Sequence, residues 1–377
     1  MRVIIKDLII LTLLTIGSTI IVLLPFILQL KSFWGINYPP GGMQIIWRNF
    51  DGLNYIAVAK SLYNSEILAE KFSSLGLPPI YFASHFPAYP LLILLFSPLF
   101  GFLNSMLFVT LLFTILASWT FYLIVKEFNL TSSPLWLSFI FLILPARWVV
   151  VRSVGAPEPI FIFLILLSFL LIRKKQKLAA SIAISLSVLV RSPAAILWLA
   201  INGINLLQTK LKIITKPTNL LIIFLPIITG LGLFWFYQIK YNDFFAYFHS
   251  GDNIHLVFPP WSVFNSKQFW VGTFWLENII YIYLIVSSAI LLLWKRGLYD
   301  FAIFTAIYLV AASFVVHLDI ARYTIPTFPF VIIAFEKWLV KREFRLILLL
   351  LLIPIYLFVQ NFLIGNVFPI TDFTPFR

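Results

Sequence analysis

Long apolar stretches that recur from one end of the chain to the other are the feature that most limits its fold. About 18 or more consecutive apolar residues are enough for a helix to cross a bilayer. The chain has 377 residues, of which 61% are hydrophobic and only 11% charged. Soluble domains are about half apolar and a quarter charged. We therefore predict an all-α polytopic membrane protein in a lipid bilayer.

The apolar stretches predict about eleven transmembrane helices in one domain, 1–377. The first stretch is too long for the core of a cleavable signal, so we expect it to be a retained span. The stretches 178–191 and 193–209 are short and fit either two spans or one broken unit. The predicted spans are 8–30, 103–126, 134–151, 157–172, 178–191, 193–209, 219–239, 277–294, 299–317, 323–340 and 345–363.

Lysine and arginine gather in the short loops between these stretches, which explains the net charge of +13 without a nucleic-acid partner. The positive-inside rule then places the N-terminus in the cytoplasm. The small chain has no eukaryotic-style targeting tail, which favours a prokaryotic plasma membrane. The basic positions on the predicted cytoplasmic side include Arg2, Lys6, "RKKQK" at 173–177, Lys210, Lys212 and Lys216.

Two predicted extracytoplasmic loops are long, about 31–102 and about 240–276. Within the first, apolar residues at helical spacing over 51–64 predict an amphipathic helix that rests in the membrane interface. The stretch 86–101 is apolar but short and rich in proline. We interpret it as a second interfacial or re-entrant segment.

Charged side chains near a membrane are costly, so each is a candidate for function. In the predicted topology, many of them fall at the extracytoplasmic ends of spans. One-sided gathering of acids, histidines and arginines suggests a site for an anionic, membrane-borne substrate. The residues concerned are Asp51, His85, Arg147, Arg152, Glu158, Arg191, His317, Asp319 and Arg322.

Asp51 allows two interpretations. It lies at a helix start, where a carboxylate can cap free backbone N–H groups. It could equally act as a general base that takes a proton from an attacking hydroxyl. The neighbouring Trp47, Phe50 and Tyr55 fit an interfacial aromatic belt as well as stacking on a sugar ring.

Four of these arginines could bind a phosphate, because a guanidinium fork matches phosphate geometry. They are Arg147, Arg152, Arg191 and Arg322. Alternatively, some extend to the interface or pair with a nearby acid such as Glu158. Arg191 and Arg322 are the stronger candidates, since each precedes a proline in "RSPAA" and "RYTIP". Arg147 also fits an ordinary flanking residue.

The sequence contains no HExxH, DxD or histidine-rich spacing, so it offers no metal-binding motif. It has no cysteine for a disulfide or thiolate site, and no GxxxxGK[ST] loop for ATP. We expect no cofactor. His85 and His317 each lie alone at the end of a predicted segment, where a structural role is common.

Two segments of the first loop resemble a known family. "WRNFDGLNYIAVAKSLY" at 47–63 and "HFPAYPLLI" at 85–93 are similar to motifs of the PIG-V-like mannosyltransferases, which are related to GPI mannosyltransferase 2 in the GT-C glycosyltransferase superfamily. Looser similarities follow in the same order as in the family. They are "SVGAPEPIFIF" at 153–163, "LVRSPAAIL" at 189–197 and "ARYTIPTFPFVI" at 321–332.

The resemblance implies a GT-C-like fold and an inverting transferase with an extracytoplasmic active site. It implies a polyprenyl-phosphate-linked donor sugar, mannose by analogy, and Asp51 as the catalytic base. It also implies that Arg322 lies near the lipid phosphate. Two departures from the family are Phe50 directly before the acid, where the family has Trp, and Pro193 where it has Gly. The residues predicted to bind substrate are Arg322, Arg191, His85, Glu158, Arg152, Tyr55 and Trp47.

Two other functions remain open. A transporter or flippase of a lipid-linked sugar would also gather arginines around an anionic headgroup, although such proteins place their charges near the bilayer midplane. The second open function is that of a non-catalytic subunit of a larger assembly. For the enzyme, the acceptor could be a glycolipid, a glycan or a protein.

Overall fold

The computed structural model describes residues 2–209, 217–251, 256–265, 267–273 and 275–377. The basic positions Lys210, Lys212 and Lys216 lie outside them. The described chain is mostly helical and contains one small hairpin, β1 (Ser32–Phe33) with β2 (Ile36–Asn37). The α-helices are α1 Arg2–Ile27, α2 Met43–Trp47, α3 Gly52–Ser61, α4 Ser65–Lys71, α5 Ala88–Glu127, α6 Pro134–Ile143, α7 Ala146–Val151, α8 Glu158–Arg173, α9 Lys177–Val188, α10 Ala194–Thr209, α11 Pro217–Tyr241, α12 Ala246–His249, α13 Trp275–Lys295, α14 Tyr299–Ser313, α15 Ile320–Tyr323, α16 Phe328–Ala334, α17 Glu336–Leu339 and α18 Arg342–Gly365.

Within the described residues, five helices are long and apolar enough to cross a membrane: α1, α5, α11, α13 and α18. Their exposed faces carry large apolar side chains, which fits an integral membrane protein in a bilayer. The all-α class is therefore confirmed. The remaining predicted spans coincide with shorter helices, so the eleven-span topology stays a prediction.

Proline accounts for part of this difference. The predicted span 134–151 is two helices, α6 and α7, separated at Leu144–Pro145. A proline inside a helix removes a backbone donor and disfavours the helical conformation of the preceding residue. Leu144 is accordingly extended. The predicted span 323–340 is also divided, into α16 and α17, but these two helices meet at Phe335 and no proline separates them.

Helix α5 is a hairpin of two helical arms. At Gly101 the backbone has φ 71° and ψ 162°, which glycine adopts far more readily than other residues. The first arm folds back on the second. The hydroxyl of Tyr89 donates to the carbonyl of Met106 at 2.9 Å, and the rings of Phe96 and Phe108 lie 5.0 Å apart. The stretch predicted as interfacial or re-entrant is the first arm of this hairpin.

Helix α3 is buried over almost its whole length, and only Lys60 near its end is half-buried. Its polar residues Asn54 and Ser61 are as buried as the apolar residues from Leu53 to Ala59. The prediction of a surface helix over 51–64 is therefore wrong. The physical reason is that α5 covers one face and the C-terminal segment 366–377 covers another, with Phe376 fully buried.

The C-terminal segment and the end of α18 are tied to the first loop by hydrogen bonds to backbone carbonyls. The N–H of Phe368 donates to the carbonyl of Arg48 at 2.9 Å, and Arg48 Nη1 donates to the carbonyl of Ile370 at 2.8 Å. Buried Asn49 donates to the carbonyl of Leu363 at 2.9 Å. These bonds hold the turn between α2 and α3 against the end of α18.

Candidate active site

A cavity of about 810 Å³ lies where the first loop meets the ends of several helices. Its walls come from the α2–α3 turn, the segment before α5, the α9–α10 connection, the α14–α15 connection and the end of α18. All of these belong to the predicted extracytoplasmic side. The polar side chains that line it are Asp51, Tyr55, Tyr81, Ser84, His85, Arg147, Arg191, Ser192, Tyr247, Tyr308, His317, Asp319, Arg322, Tyr323 and Asn366.

Asp51 occupies the N-cap position of α3 but does not cap it. Within the described chain, its side chain accepts no capping hydrogen bond from the helix. The side chain is 39% exposed in the cavity wall, and its Oδ2 lies 3.7 Å from Arg322 Nη1. The helix-cap interpretation of Asp51 is therefore excluded by the geometry. Its carboxylate is accessible and has a cation beside it.

Arg322 and Arg191 share one buried acid. Glu158 Oε1 accepts a hydrogen bond from Arg322 Nε at 2.6 Å and another from Arg191 Nη1. Glu158 is fully buried, whereas both arginines line the cavity. A guanidinium has five N–H donors, and Glu158 occupies only one nitrogen of each arginine. The acid thus fixes two cations in place and leaves further donors on them.

The side chain of Met106 packs against the backbone close to Glu158. Glu158 is the first residue of α8, directly after the tight segment 153–157. A Cβ added at Gly155 would lie 2.3 Å from Met106 Sδ, and one at Gly52 would lie 2.9 Å from the same atom. Met106 is thus held between two glycines. Both the Asp51 turn and the segment that leads to Glu158 depend on this absence of side chains.

A second ion pair lies in the wall. Arg147 Nη2 is 3.0 Å from Asp319 Oδ1, and the Arg147 guanidinium lies 3.8 Å from the ring centre of Phe362. Burial raises the pKa of the Asp319 carboxyl, although Arg147 opposes the shift. His317 Nδ1 accepts the backbone N–H of Asp319 at 2.9 Å. This pair links α7 to the loop that leads into α15.

Aromatic rings form the side of the cavity around His85. Its ring centre lies 4.8 Å from that of Tyr55 and 5.5 Å from that of Tyr81, and its Nδ1 is 3.0 Å from Ser84 Oγ. Burial raises the pKa of the Tyr55 hydroxyl well above its usual range, so the group stays a neutral donor. Arg322 is stacked 4.1 Å from the ring centre of Phe50.

The structure brings five of the predicted site residues to this cavity: Asp51, Tyr55, His85, Arg191 and Arg322. Glu158 lies behind the wall and is bonded to both arginines.

Arg152 and Trp47 are not among the lining residues. Arg152 is buried and donates to the carbonyl of Leu142 and to the hydroxyls of Ser18 and Thr19, each at 3.0 Å. These bonds hold α1 to the end of α6 and place Arg152 away from the cavity, so its substrate-binding role stays a prediction that the geometry does not favour. Trp47 packs against Phe373 of the C-terminal segment, with ring centres 5.9 Å apart.

Other lining residues were only partly anticipated. Arg147 fitted a flanking residue in the sequence, and Asp319 was one charge among many. The signal for Asp319 was "HLDIARY", which places an acid three residues before Arg322. Tyr308 and Asn366 carried no such signal, because only the tertiary fold brings them to the cavity. Among the described residues, no group of three histidines or acids could hold a metal ion.

A second, apolar cavity of about 280 Å³ adjoins the first. Four residues line both, namely Arg191, Ser192, Ala195 and Tyr247. The rest of its lining is apolar: Phe86, Val188, Ala194, Trp198, Pro226, Ile227, Gly230, Leu233, Phe234 and Phe248. The first, charged cavity and the second, apolar cavity therefore meet at Arg191.

No family model matches this chain, and a search of curated proteins finds no match either.

Proposed function

We propose that the chain is a membrane glycosyltransferase of the PIG-V-like, GT-C type. It moves one sugar from a polyprenyl-phosphate donor to an acceptor hydroxyl. The observation that carries this proposal is the uncapped Asp51 carboxylate, accessible in the cavity wall and 3.7 Å from Arg322. A general base and a cation at the same cavity are what sugar transfer from a phosphate requires.

Asp51 is the proposed general base. Its carboxylate takes the proton from the acceptor hydroxyl while that oxygen attacks the anomeric carbon of the donor sugar. The bond between the anomeric carbon and the phosphate oxygen breaks, and its electron pair leaves with the polyprenyl phosphate. One displacement inverts the configuration at the anomeric carbon. Asp51 then releases its proton to water.

Arg322 and Arg191 stabilise the leaving group. The donor phosphate is a diester with one negative charge, and its release adds a second. Cations fixed in advance at the place where this charge develops lower the barrier. Glu158 supplies that fixation, because its Oε1 accepts from both guanidinium groups. Glu158 is therefore a positioning residue in this proposal.

The apolar cavity suits the first part of the polyprenyl tail. It meets the charged cavity at Arg191, so a phosphate bound there would have an apolar path for its lipid directly beside it. The helices α10 and α11, which supply most of that wall, also carry exposed apolar residues such as Leu199 and Trp235. A lipid-borne donor could thus reach the site from the bilayer.

Mannose as the donor sugar, and a glycolipid, glycan or protein as the acceptor, follow from the resemblance. The proposed orientation, with the N-terminus in the cytoplasm and the site on the extracytoplasmic face, follows from the distribution of basic residues. The prokaryotic plasma membrane is an expectation from the small size of the chain. The lipid-linked sugar is a substrate of the proposed reaction, which needs no cofactor.

A transfer assay tests the proposal. Wild type, Asp51→Asn and Asp300→Asn are purified into liposomes and given radiolabelled polyprenyl-phosphate mannose with candidate acceptor glycolipids. We expect transfer by wild type and by Asp300→Asn, whose carboxylate pairs with Arg173 outside the cavity. Asp51→Asn should be inactive at equal expression. If Asp51→Asn transfers sugar as fast as wild type, Asp51 is not the general base. Translocation of the donor without glycosidic bond formation would favour the transporter function.

A further inference from the structure

The segment 256–273 presents large apolar side chains to its surroundings outside any membrane-length helix. Phe258 is 84% exposed and Phe269 is 80% exposed, and Trp261 is also exposed. We call the described residues 256–265 and 267–273 the aromatic segment. Large exposed apolar patches on a folded protein mark a surface that meets a partner or a membrane.

The aromatic segment is a folded structure on the helices beside it. The N–H of Val257 donates to the carbonyl of Phe314 at 2.8 Å, so the segment is tied to the end of α14. On its inner side, Val263 and Trp270 are buried in a small cluster with Ile279 of α13 and Ile320 of α15. The buried cluster therefore fixes the segment so that its exposed rings point away from the protein.

The exposed face is continuous with a surface suited to lipid. The ring of Trp261 lies 4.8 Å from that of Tyr283 on α13, which is long and apolar enough to span a membrane. On the same helix Ile280 and Leu284 are exposed. The aromatic segment precedes α13 in the chain and packs beside the N-terminal half of this helix, at Ile279 and Tyr283.

The chemistry of the segment favours the headgroup region over water. Its described residues include Phe, Trp, one lysine (Lys267) and no acid. Aromatic rings with a basic residue are the combination that settles at the boundary between headgroups and acyl chains. An acid-free face also suits anionic lipids.

We infer that the aromatic segment is a membrane-interface anchor that inserts Phe258 and Phe269 into the lipid headgroup–acyl boundary. Leu256 at one end of the segment and Trp275 just after it both line the charged cavity. The anchor therefore holds one wall of that cavity at the lipid surface. This inference concerns lipid binding alone and does not depend on the transfer reaction.

The absence of cysteine makes a clean test possible, since every introduced cysteine is the only thiol. Phe258→Cys and Phe269→Cys are labelled with a bimane fluorophore and placed in liposomes of phosphatidylcholine and phosphatidylglycerol. Quenching by lipids with a nitroxide near the headgroup is compared with quenching by aqueous iodide. Leu284→Cys serves as the lipid-facing control and Glu70→Cys as the exposed loop control. All four positions are exposed, so folding should be retained.

We expect the lipid nitroxide to quench the labels at 258 and 269 at least about twofold more than the label at 70. Iodide should quench them less than it quenches the label at 70. Labels that behave like the one at 70 would overturn the inference. Labels protected from iodide but insensitive to the lipid nitroxide would also overturn it, because a protein contact would then cover the face.

Discussion

Two arginine–acid clusters, one half-buried and one centred on a fully buried acid, differ in a way that separates a structural role from a catalytic one. Arg173 and Asp300 form a closed pair between α8 and α14. Arg173 Nε and Nη2 each donate to a different oxygen of Asp300, both at 2.7 Å, and the guanidinium lies 4.2 Å from the ring centre of Phe301. Donors and acceptors match one to one, as in bidentate pairs.

The cluster at Glu158 is arranged differently. One carboxylate oxygen accepts from two arginines, and Oε2 accepts no hydrogen bond from any described residue. Arg322 also lies near Asp51, whose own side chain is accessible. The closed pair is complete without a ligand, whereas the Glu158 cluster holds cations that border a cavity.

Removal of the Asp51 carboxylate should have the largest effect on activity. Asp51→Asn keeps the shape of the side chain but cannot accept a proton, so we expect kcat to fall by about 10²–10⁴-fold. Because Asp51 does not cap α3, the thermal stability in detergent should be unchanged. Initial rates and a melting curve on the same preparation measure both. A fall in the melting temperature that matches the fall in rate would indicate a structural role.

Loss of the guanidinium fork at Arg322 should come second. Arg322→Lys retains a charge but not the planar donor set, and we expect a loss of about 10²–10³-fold in kcat/KM for the lipid donor. Kinetics with varied donor and with varied acceptor measure the change. The KM for the acceptor should stay near that of wild type, and a defect confined to the acceptor would contradict the assignment of Arg322 to the phosphate.

Substitution of Arg152, which was also predicted as a site residue, should lower stability without changing substrate binding. Arg152→Met removes donors to Leu142, Ser18 and Thr19, and we expect a loss of about 1–3 kcal/mol in unfolding free energy. The KM values of the folded fraction should not change. Unfolding in detergent and kinetics at low temperature test this, and an altered donor KM would return Arg152 to the site.

The closed pair should give the smallest effect. Asp300→Asn leaves Arg173 with a weaker partner at a partly exposed position, so we expect a loss of about 1 kcal/mol in unfolding free energy. Transfer activity should remain within about twofold of wild type, because the pair lies outside the cavity. A large loss of activity with an intact fold would show that the two clusters do not differ as argued.

Much of the helical layout could be predicted from local sequence, because apolar stretches and prolines act over a few residues. The gathering of Asp51, Arg191 and Arg322 at one cavity followed from their common position at predicted span ends. The burial of α3 could not be predicted this way. It depends on the C-terminal segment, which lies about 300 residues further along the chain, against Lys60 and Phe72.

Local sequence also could not predict that similar residues have different roles. Arg152 and Arg191 have the same charge and similar apolar surroundings, yet one meets hydroxyls of α1 and the other meets Glu158. Gly155 likewise gave no local sign of its contact with Met106, since that contact joins two distant segments. Such facts depend on which elements pack together.

A structure of the protein in lipid with bound polyprenyl-phosphate mannose would test the roles of Asp51 and Arg322 most directly. We expect the phosphate within hydrogen-bonding distance of Arg322. We also expect the Asp51 carboxylate to face the side of the anomeric carbon opposite the phosphate. A phosphate bound beside Arg173, or an Asp51 side chain turned away from the sugar, would contradict these roles.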